Sequence, residues 1–412
     1  MWMFLKLAYG NLIKNRRTSL TILLVVFICV FVMEFGVAFM DGFKQKILGD
    51  YLNDTGHINI YDSRFYKEMD FTMNEYNIEL KPGLLDSLKK QPGVVMVKPE
   101  INFGAIANTE TKNLDCMVTA IDTDEPSKKY SKLAASVIQG GFITKKDDII
   151  VGVRGAELLG VKVGDKLIIL SVDQFGSINA AEGNIAGIFK TFSAQKDERS
   201  VICALPLAQK LLGMENRVTK ITVNLSDPLA AAGTSEVLKK TLPSGTVAVP
   251  WQTGQAFLVS YLKLLDVSGL FICFLIIFGA SMGIINSFLM NIMHRLPEFG
   301  ALRAMGLGKL QMFLMITAES FILGVIGTGL ALIPGTALVL YLQAHPLNYE
   351  RIFKTMQSTP LGGMDASMGT VLVPMSIGIV ILTGILISVV ASAYPAWIAI
   401  SKKPSEIMRV LE

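Results

Sequence analysis

The chain has 412 residues, of which 51% are hydrophobic and only 17% charged, where an ordinary soluble protein carries roughly a quarter charged residues. This rules out a disordered chain, and a formal charge of +4, from 38 Lys+Arg and 34 Asp+Glu, does not fit a nucleic-acid coat. Four cysteines in this length exclude a disulfide-dense secreted scaffold.

The missing charge is explained by four apolar runs. Residues 1–17 form a short basic segment that leads into the first run. Thr18 to Met40, TSLTILLVVFICVFVMEFGVAFM, has Glu34 as its single ionisable side chain. Its length, the Arg16-Arg17 flank and the lack of a small-x-small site before Asp41 favour a retained anchor over a cleaved signal peptide. After it, residues 41–261 have ordinary charge and read as an α+β domain. Apolar or alternating stretches predict strands at His57–Tyr61, Val94–Lys98, Asp148–Val153, Lys166–Val172, Asn184–Phe189 and Thr219–Leu225. Leu84, Leu85 and Leu88 line one short amphipathic helix, and Leu207, Leu211 and Leu212 line another that opens at Pro206. The size allows an inserted subdomain near residues 103–190. Cys116 and Cys203 fall here, either as a disulfide or as two buried thiols, and isolated cysteines on strands favour thiols.

Val267 to Met293 carries no charge and forms the core of a second span, 262–293. The third span, 310–343, contains only Glu319, and a fourth, 368–394, contains none; a short loop, 344–367, separates them and a tail, 395–412, follows. Each run exceeds the 18 or so apolar residues needed to cross about 30 Å of hydrocarbon as a helix. The fold class is therefore a membrane protein, with four transmembrane α-helices and a large α+β extracytoplasmic domain between the first and second.

Orientation follows from the basic residues. The segments before the first span, between spans two and three, and after span four hold Lys6, Lys14, Arg16, Arg17, Arg295, Arg303, Lys309, Lys402, Lys403 and Arg409 against Glu298, Glu406 and Glu412. That balance of +7 places both termini and the middle loop in the cytoplasm. Residues 41–261 then lie on the outer face of the membrane.

Motifs for catalysis fail on inspection. His57, His294 and His345 are scattered without metal-ligand spacing. No Walker A loop exists: near Gly308-Lys309, Arg303 stands where a glycine is required and Leu310 where Ser or Thr binds magnesium. Gly279-Ala280-Ser281-Met282-Gly283 matches G-x-S-x-G, but it lies in an apolar helix without a histidine base. Gly279 and Gly283 read better as a small-xxx-small helix-packing face. The chain is expected to bind no cofactor or metal.

The middle loop, 294–309, is more informative. Pro297 suits a first helical position, Glu298 favours the positive end of the helix dipole and Gly306 supplies a stop. The expectation is a separate helix of about two turns with Phe299, Leu302 and Met305 on one stripe and Arg295 and Arg303 beside it, suited to docking a second protein.

At this loop the chain resembles the FtsX/MacB/LolC-LolE superfamily of ABC transporter permeases. Pro297 through Lys309 is similar to that family's coupling helix, Ala8 through Thr18 to its N-terminal amphipathic helix, and Ala318-Glu319-Ser320 through Gly329 to its third span. Tyr394-Pro395-Ala396-Trp397 and Lys402 through Arg409 are similar to its terminal signature. In the outer domain, Gly56-His57-Ile58-Asn59-Ile60-Tyr61, Ile150 through Leu158 with Val163-Gly164-Asp165-Lys166, Gly187 through Thr191 and Ala208 through Gly213 resemble the LolC/LolE lipoprotein-releasing permeases.

The resemblance implies a non-catalytic permease subunit. ATP and magnesium would be bound by a separate cytoplasmic ABC ATPase dimer, LolD-like, and a second permease copy, identical or paralogous, would complete the unit. The substrate would be a triacylated lipoprotein taken from the outer leaflet and passed toward the outer membrane, with a periplasmic lipoprotein chaperone as acceptor; no nucleic acid is involved. ATPase coupling falls to Arg295, Pro297, Glu298, Phe299, Leu302, Arg303 and Met305. Met33, Glu34, Phe35, Val37, Phe39 and Met40, with Leu262, Leu264 and Leu265, are candidate lining for an acyl cavity, and ordinary packing is an equal reading for each. Glu319 reads as a structural acid orienting the coupling region, and Glu34 could pair with Lys263. Two alternatives stay open: an FtsX-like mechanotransmitting permease regulating a periplasmic cell-wall hydrolase, and a MacB-like efflux or export permease.

Overall fold

The computed structural model describes residues 16–68, 74–124, 126–191, 194–348 and 367–401. The leading segment 1–15, most of the loop 344–367 and the tail from 402 lie outside them. The described residues contain four helices long and apolar enough to cross a membrane: α1 (Arg16–Thr55), α2 (Ala256–Ala304), α3 (Lys309–Ala344) and α4 (Pro374–Ser401). The chain divides into two compact units, one of residues 1–46, 261–348 and 367–412 and the other of 47–260 and 349–366.

In the helical unit each helix contributes to one buried cluster. Ile22, Val26, Val30 and Met33 of α1 meet Ile284 and Phe288 of α2, Leu323 and Ala331 of α3 and Val380, Ile387 and Ala391 of α4. Apolar side chains gain little from leaving lipid, so close packing rather than hydrophobicity selects the contact residues. Gly384 shows this: a Cβ there would sit 2.7 Å from both Thr328 Oγ1 and Val30 Cγ2. Of the expected pair, Gly283 lies against Val25 of α1, with 3.3 Å from its Cβ position to Cγ1, whereas Gly279 faces open space. The Gly279–Gly283 segment runs inside α2 without a turn, so Ser281 has none of the strained elbow that a nucleophile requires. α2 leaves a long apolar face uncovered, including Val267, Phe271, Phe274, Phe278 and Met282.

The other unit is built on a ten-stranded sheet. Its strands are β1 (Ile58–Asp62), β2 (Val94–Asn108), β3 (Asn113–Ile121), β4 (Val137–Gly140), β5 (Asp148–Gly152), β6 (Lys166–Val172), β7 (Ile178–Phe189), β8 (Ser200–Ala204), β9 (Lys220–Leu225) and β10 (Thr246–Pro250). The order is β10-β1-β9-β2-β3-β8-β5-β7-β4, with β6 paired to β2 and β7. The sheet is mixed: β3 runs parallel to β8 and β5 parallel to β7, whereas β1, β9, β2 and β3 are antiparallel neighbours. Residues 103–190 contribute strands to this same sheet, because the long strands β2 and β7 extend across it. The leucine-lined stretches form helices Leu84–Lys89 and Leu205–Leu212, the second with proline in its first turn.

All four cysteines are thiols. Met117 pairs with Ser200 and Ala120 with Cys203 across β3 and β8, which sets Cys116 four residues out of step with Cys203, about 13 Å along the strands. A disulfide cannot span that offset. Burial pushes the Cys116 thiol up from 9.0 to about 11, and burial pushes Cys203 up as well.

Candidate functional site

The turn between α2 and α3 differs from the expected separate helix. α2 continues unbroken through Pro297 to Ala304. Proline lacks the N–H that would bond the Met293 carbonyl, at a cost of about 3 kcal/mol in a helix interior. Two residues either side of it, Arg295 and Phe299 are locked into the bundle, which holds the helix on course. Its end is a Schellman motif: Leu307 N–H donates to Leu302 O at 3.1 Å and Gly306 N–H to Arg303 O at 3.1 Å. Gly306 has φ 99°, so the stop read from the sequence is where the left-handed residue falls. Gly308 N–H then donates to Gln311 Oε1 at 3.0 Å, capping α3.

Because α2 keeps its phase through the proline, the expected docking stripe is divided. Phe299 is fully buried with Met312, Met315, Ile316, Ala396 and Ala399, and Leu302 is half buried against them. Arg295 is also buried. Its Nη1 donates to Glu319 Oε2 at 2.9 Å and its Nη2 to Oε1 at 3.2 Å, with Glu298 Oε2 3.4 Å from Nε. Its guanidinium lies 5.0 Å from the Phe299 ring centre. With Glu319 at 2% exposure, this two-pronged ion pair ties α2 to α3. Arg303 reaches α4 instead, donating to Ile400 O at 3.4 Å. The surface left outside comprises Met305, 77% exposed, and Leu310, 70% exposed, with Glu298, Ala301 and Lys309. Leu310 was invisible as a site residue in the sequence, where it read as the first residue of the third span, whereas Lys309 read as the end of the middle loop.

The second cluster is in the middle of α1, around Glu34. Thr336 Oγ1 of α3 donates to Glu34 Oε1 at 2.7 Å, and Glu34 Oε2 packs on the Cα of Gly335 with no hydrogen-bond partner among the described residues. The partner is therefore Thr336 and not Lys263, which is exposed. Met33 is buried in the bundle core, whereas Phe35, Val37, Phe39 and Met40 are half buried. The Phe35 and Phe39 rings stack with centres 6.1 Å apart. Leu262 and Leu265 are half buried and Leu264 is 59% exposed. The two candidate segments do run side by side: Met40 Cε approaches to 3.7 Å of the Cβ position of Gly269, and Lys44 pairs with Asp266.

Comparison with known proteins agrees with this layout. Residues 270–404 match the family model described as FtsX-like permease C-terminal, a stretch that runs from α2 past the end of α4. The chain is 23% identical over 381 residues to the lipoprotein-releasing system transmembrane protein LolC of Buchnera aphidicola subsp. Schizaphis graminum, covering 90% of this chain and 88% of that one. It is 20% identical over 388 residues to the corresponding LolE of Haemophilus influenzae, covering 92% and 91%. The crystal structure of the periplasmic region of MacB from Actinobacillus actinomycetemcomitans covers 47% of this chain and 87% of its own at 14% identity and TM-score 0.34. The exposed turn between α2 and α3 and the buried Arg295–Glu319 pair thus fall within the stretch that matches the FtsX-like permease model, on a chain similar to the LolC/LolE proteins over about nine tenths of its length.

Proposed function

We propose that this chain is the permease subunit of an ABC transporter in a bacterial inner membrane. A separate ATPase subunit would drive it to extract lipoproteins from the outer leaflet for transfer toward the outer membrane. The observation that carries the reading is similarity along nearly the whole of both chains to proteins named as lipoprotein-releasing permeases. A shared domain alone would not favour release over signalling or efflux.

In this reading the exposed turn around Met305 and Leu310 receives the ATPase. Closure of the ATPase dimer around ATP and magnesium pushes that turn, and the Arg295–Glu319 pair makes α2 and α3 move together. Buried Phe299 and Arg295 transmit the push without touching the partner. At the opposite ends of the helices, the α1 residues around Phe35, Phe39 and Met40 and the α2 residues around Leu262 and Leu265 face acyl chains. Each CH2 they cover is worth about 0.8 kcal/mol. A second permease copy supplies the other wall, and a periplasmic chaperone accepts the substrate.

Affinity purification of the full chain in mild detergent tests this reading. Co-purification of a small ABC ATPase with triacylated lipoproteins is the expected result. A co-purifying cell-wall hydrolase would assign the signalling role instead, and a membrane-fusion protein the export role.

A further inference from the structure

The release mechanism makes no use of His57, a titratable residue only 7% exposed that stands between the end of α1 and the start of β1. Gly56 fixes how it is presented. The Gly56 N–H donates to Leu52 O at 2.7 Å, its φ is 82°, and a Cβ there would lie 2.2 Å from Thr222 Cγ2. The ladder between β1 and β9 ends with Ile58 opposite Val223, and beyond that pair β9 slips in register against β2 at Asn224 and Leu225. There the Leu225 N–H donates to His57 Nδ1 at 2.8 Å, so a side chain takes over as acceptor where the strand pairing stops.

The same residue ties down a second segment. His57 O accepts from the Trp251 N–H at 2.9 Å, and Trp251 Nε1 donates to Pro228 O at 2.8 Å. Between them Asp227 Oδ1 accepts from the Leu229 N–H at 2.9 Å. The bonds form a closed ring, from His57 through Leu225 and Pro228 to Trp251 and back. Within the α+β unit this ring gathers the chain that follows α1 and the chain that leads to α2.

A backbone N–H can only donate, so Nδ1 must offer its lone pair, and the neutral imidazole carries its proton on Nε2. A proton on Nδ1 would set N–H against N–H and leave the amide of buried Leu225 without its acceptor. Burial holds the ring below its ordinary value of 6.5, the Lys98 ammonium of β2 adds to that, and Asp227 works against it. β10 carries no ionisable side chain. Above pH 6.5 the residue is neutral in the folded and the unfolded chain alike. Below it the unfolded chain takes up a proton that the closed ring refuses, so the ring is favoured at neutral pH and loses ground as the pH falls.

We propose that His57 is an acid-sensitive clamp. Neutral, it closes the ring; on taking a proton it releases the Leu225 amide, and the segment 225–228 that supports Trp251 loosens. The clamp does not depend on the lipoprotein reading.

The test is hydrogen–deuterium exchange of the full chain in maltoside micelles, read by mass spectrometry between pH 7.5 and 5.0 with labelling times scaled for the intrinsic rate at each pH. Wild-type peptides covering 224–229 should exchange about tenfold faster at pH 5.0 than at 7.5, and peptides from β5 should not change. H57N offers an amide oxygen that accepts the same bond and does not titrate, so it should keep at pH 5.0 the protection that wild type shows at 7.5. Should H57N not fold, D227N decides in its place. Its asparagine still accepts from Leu229, and loss of the exposed charge should lower the midpoint of the acid transition by about 0.3 pH unit. Equal scaled exchange of wild type across the range overturns the proposal. An acid response in H57N that matches wild type does so too, as does, where D227N decides, an unmoved midpoint.

Discussion

Three side chains illustrate how burial sets chemistry in this molecule. Breaking a buried ion pair strands a charge and costs about 3–5 kcal/mol, whereas replacing both partners with apolar groups is close to neutral. Glu319→Ala should therefore lower the thermal unfolding midpoint of the detergent-solubilised chain markedly, and the double variant R295M/E319M should recover most of it. If the pair also transmits motion, the double variant will remain defective in substrate release despite its recovered stability. Glu34 is a different case, since its hydrogen-bond partner among the described residues is the neutral hydroxyl of Thr336. Glu34→Leu should leave membrane insertion intact and alter lipoprotein release in a reconstituted assay; normal release would remove Glu34 from the mechanism. Cys116 gives a pH prediction. Its thiol keeps its proton to about 11 in the folded chain against 9.0 in the unfolded one, so its contribution to stability is complete below pH 9 and lost between 9 and 11. The denaturation midpoint should fall over that interval, less steeply in Cys116→Ala, and iodoacetamide at pH 8 should modify Cys116 only after unfolding.

Among the elements, the long helices were the most legible in the sequence. A segment in lipid must satisfy its backbone internally and be apolar on every side, and both requirements are visible residue by residue. The ends were not. α1 runs fifteen residues past Met40, where Ile47 and Leu52 are buried, and no local signal marks that. Pro297 has the signature of a helix start, yet tertiary packing of its neighbours Arg295 and Phe299 kept α2 intact. The Glu34–Thr336 bond joins residues 302 positions apart and has no sequence signature. Strands β4 and β10 went unread for the same reason, and β3 and β8 were legible only as strand-like stretches around Cys116 and Cys203, since pairing partners supply what their short patterns lack. At the turn between α2 and α3, Met305 projects from the Schellman end while Leu302 packs inward. Met305→Asp should change unfolding by no more than about 0.5 kcal/mol, as surface changes do, yet reduce the ATPase recovered with the permease severalfold. Equal recovery would move the docking surface elsewhere.

For the whole molecule, the distribution of charge makes a claim about sidedness that the buried thiols make easy to test. All but one of the native cysteines are buried and the other, Cys273, is half buried within a span, so background labelling in intact cells should be low. Cysteine introduced at Lys210 should react with a membrane-impermeant maleimide in spheroplasts, and cysteine at Lys309 only after lysis. The reverse pattern would invert the topology and place the turn out of reach of any cytoplasmic ATPase. α2 has a mechanical consequence of its own. At 1.5 Å per residue its 49 residues form a rod about 74 Å long, more than twice the hydrocarbon thickness. A rigid rod works as a lever, and a tilt of about 5° sweeps its far end through ~6 Å. A gap or flexible joint at Pro297 would absorb a push applied at the Ala304 end; in the proposed reading an unbroken helix would pass it along its length instead.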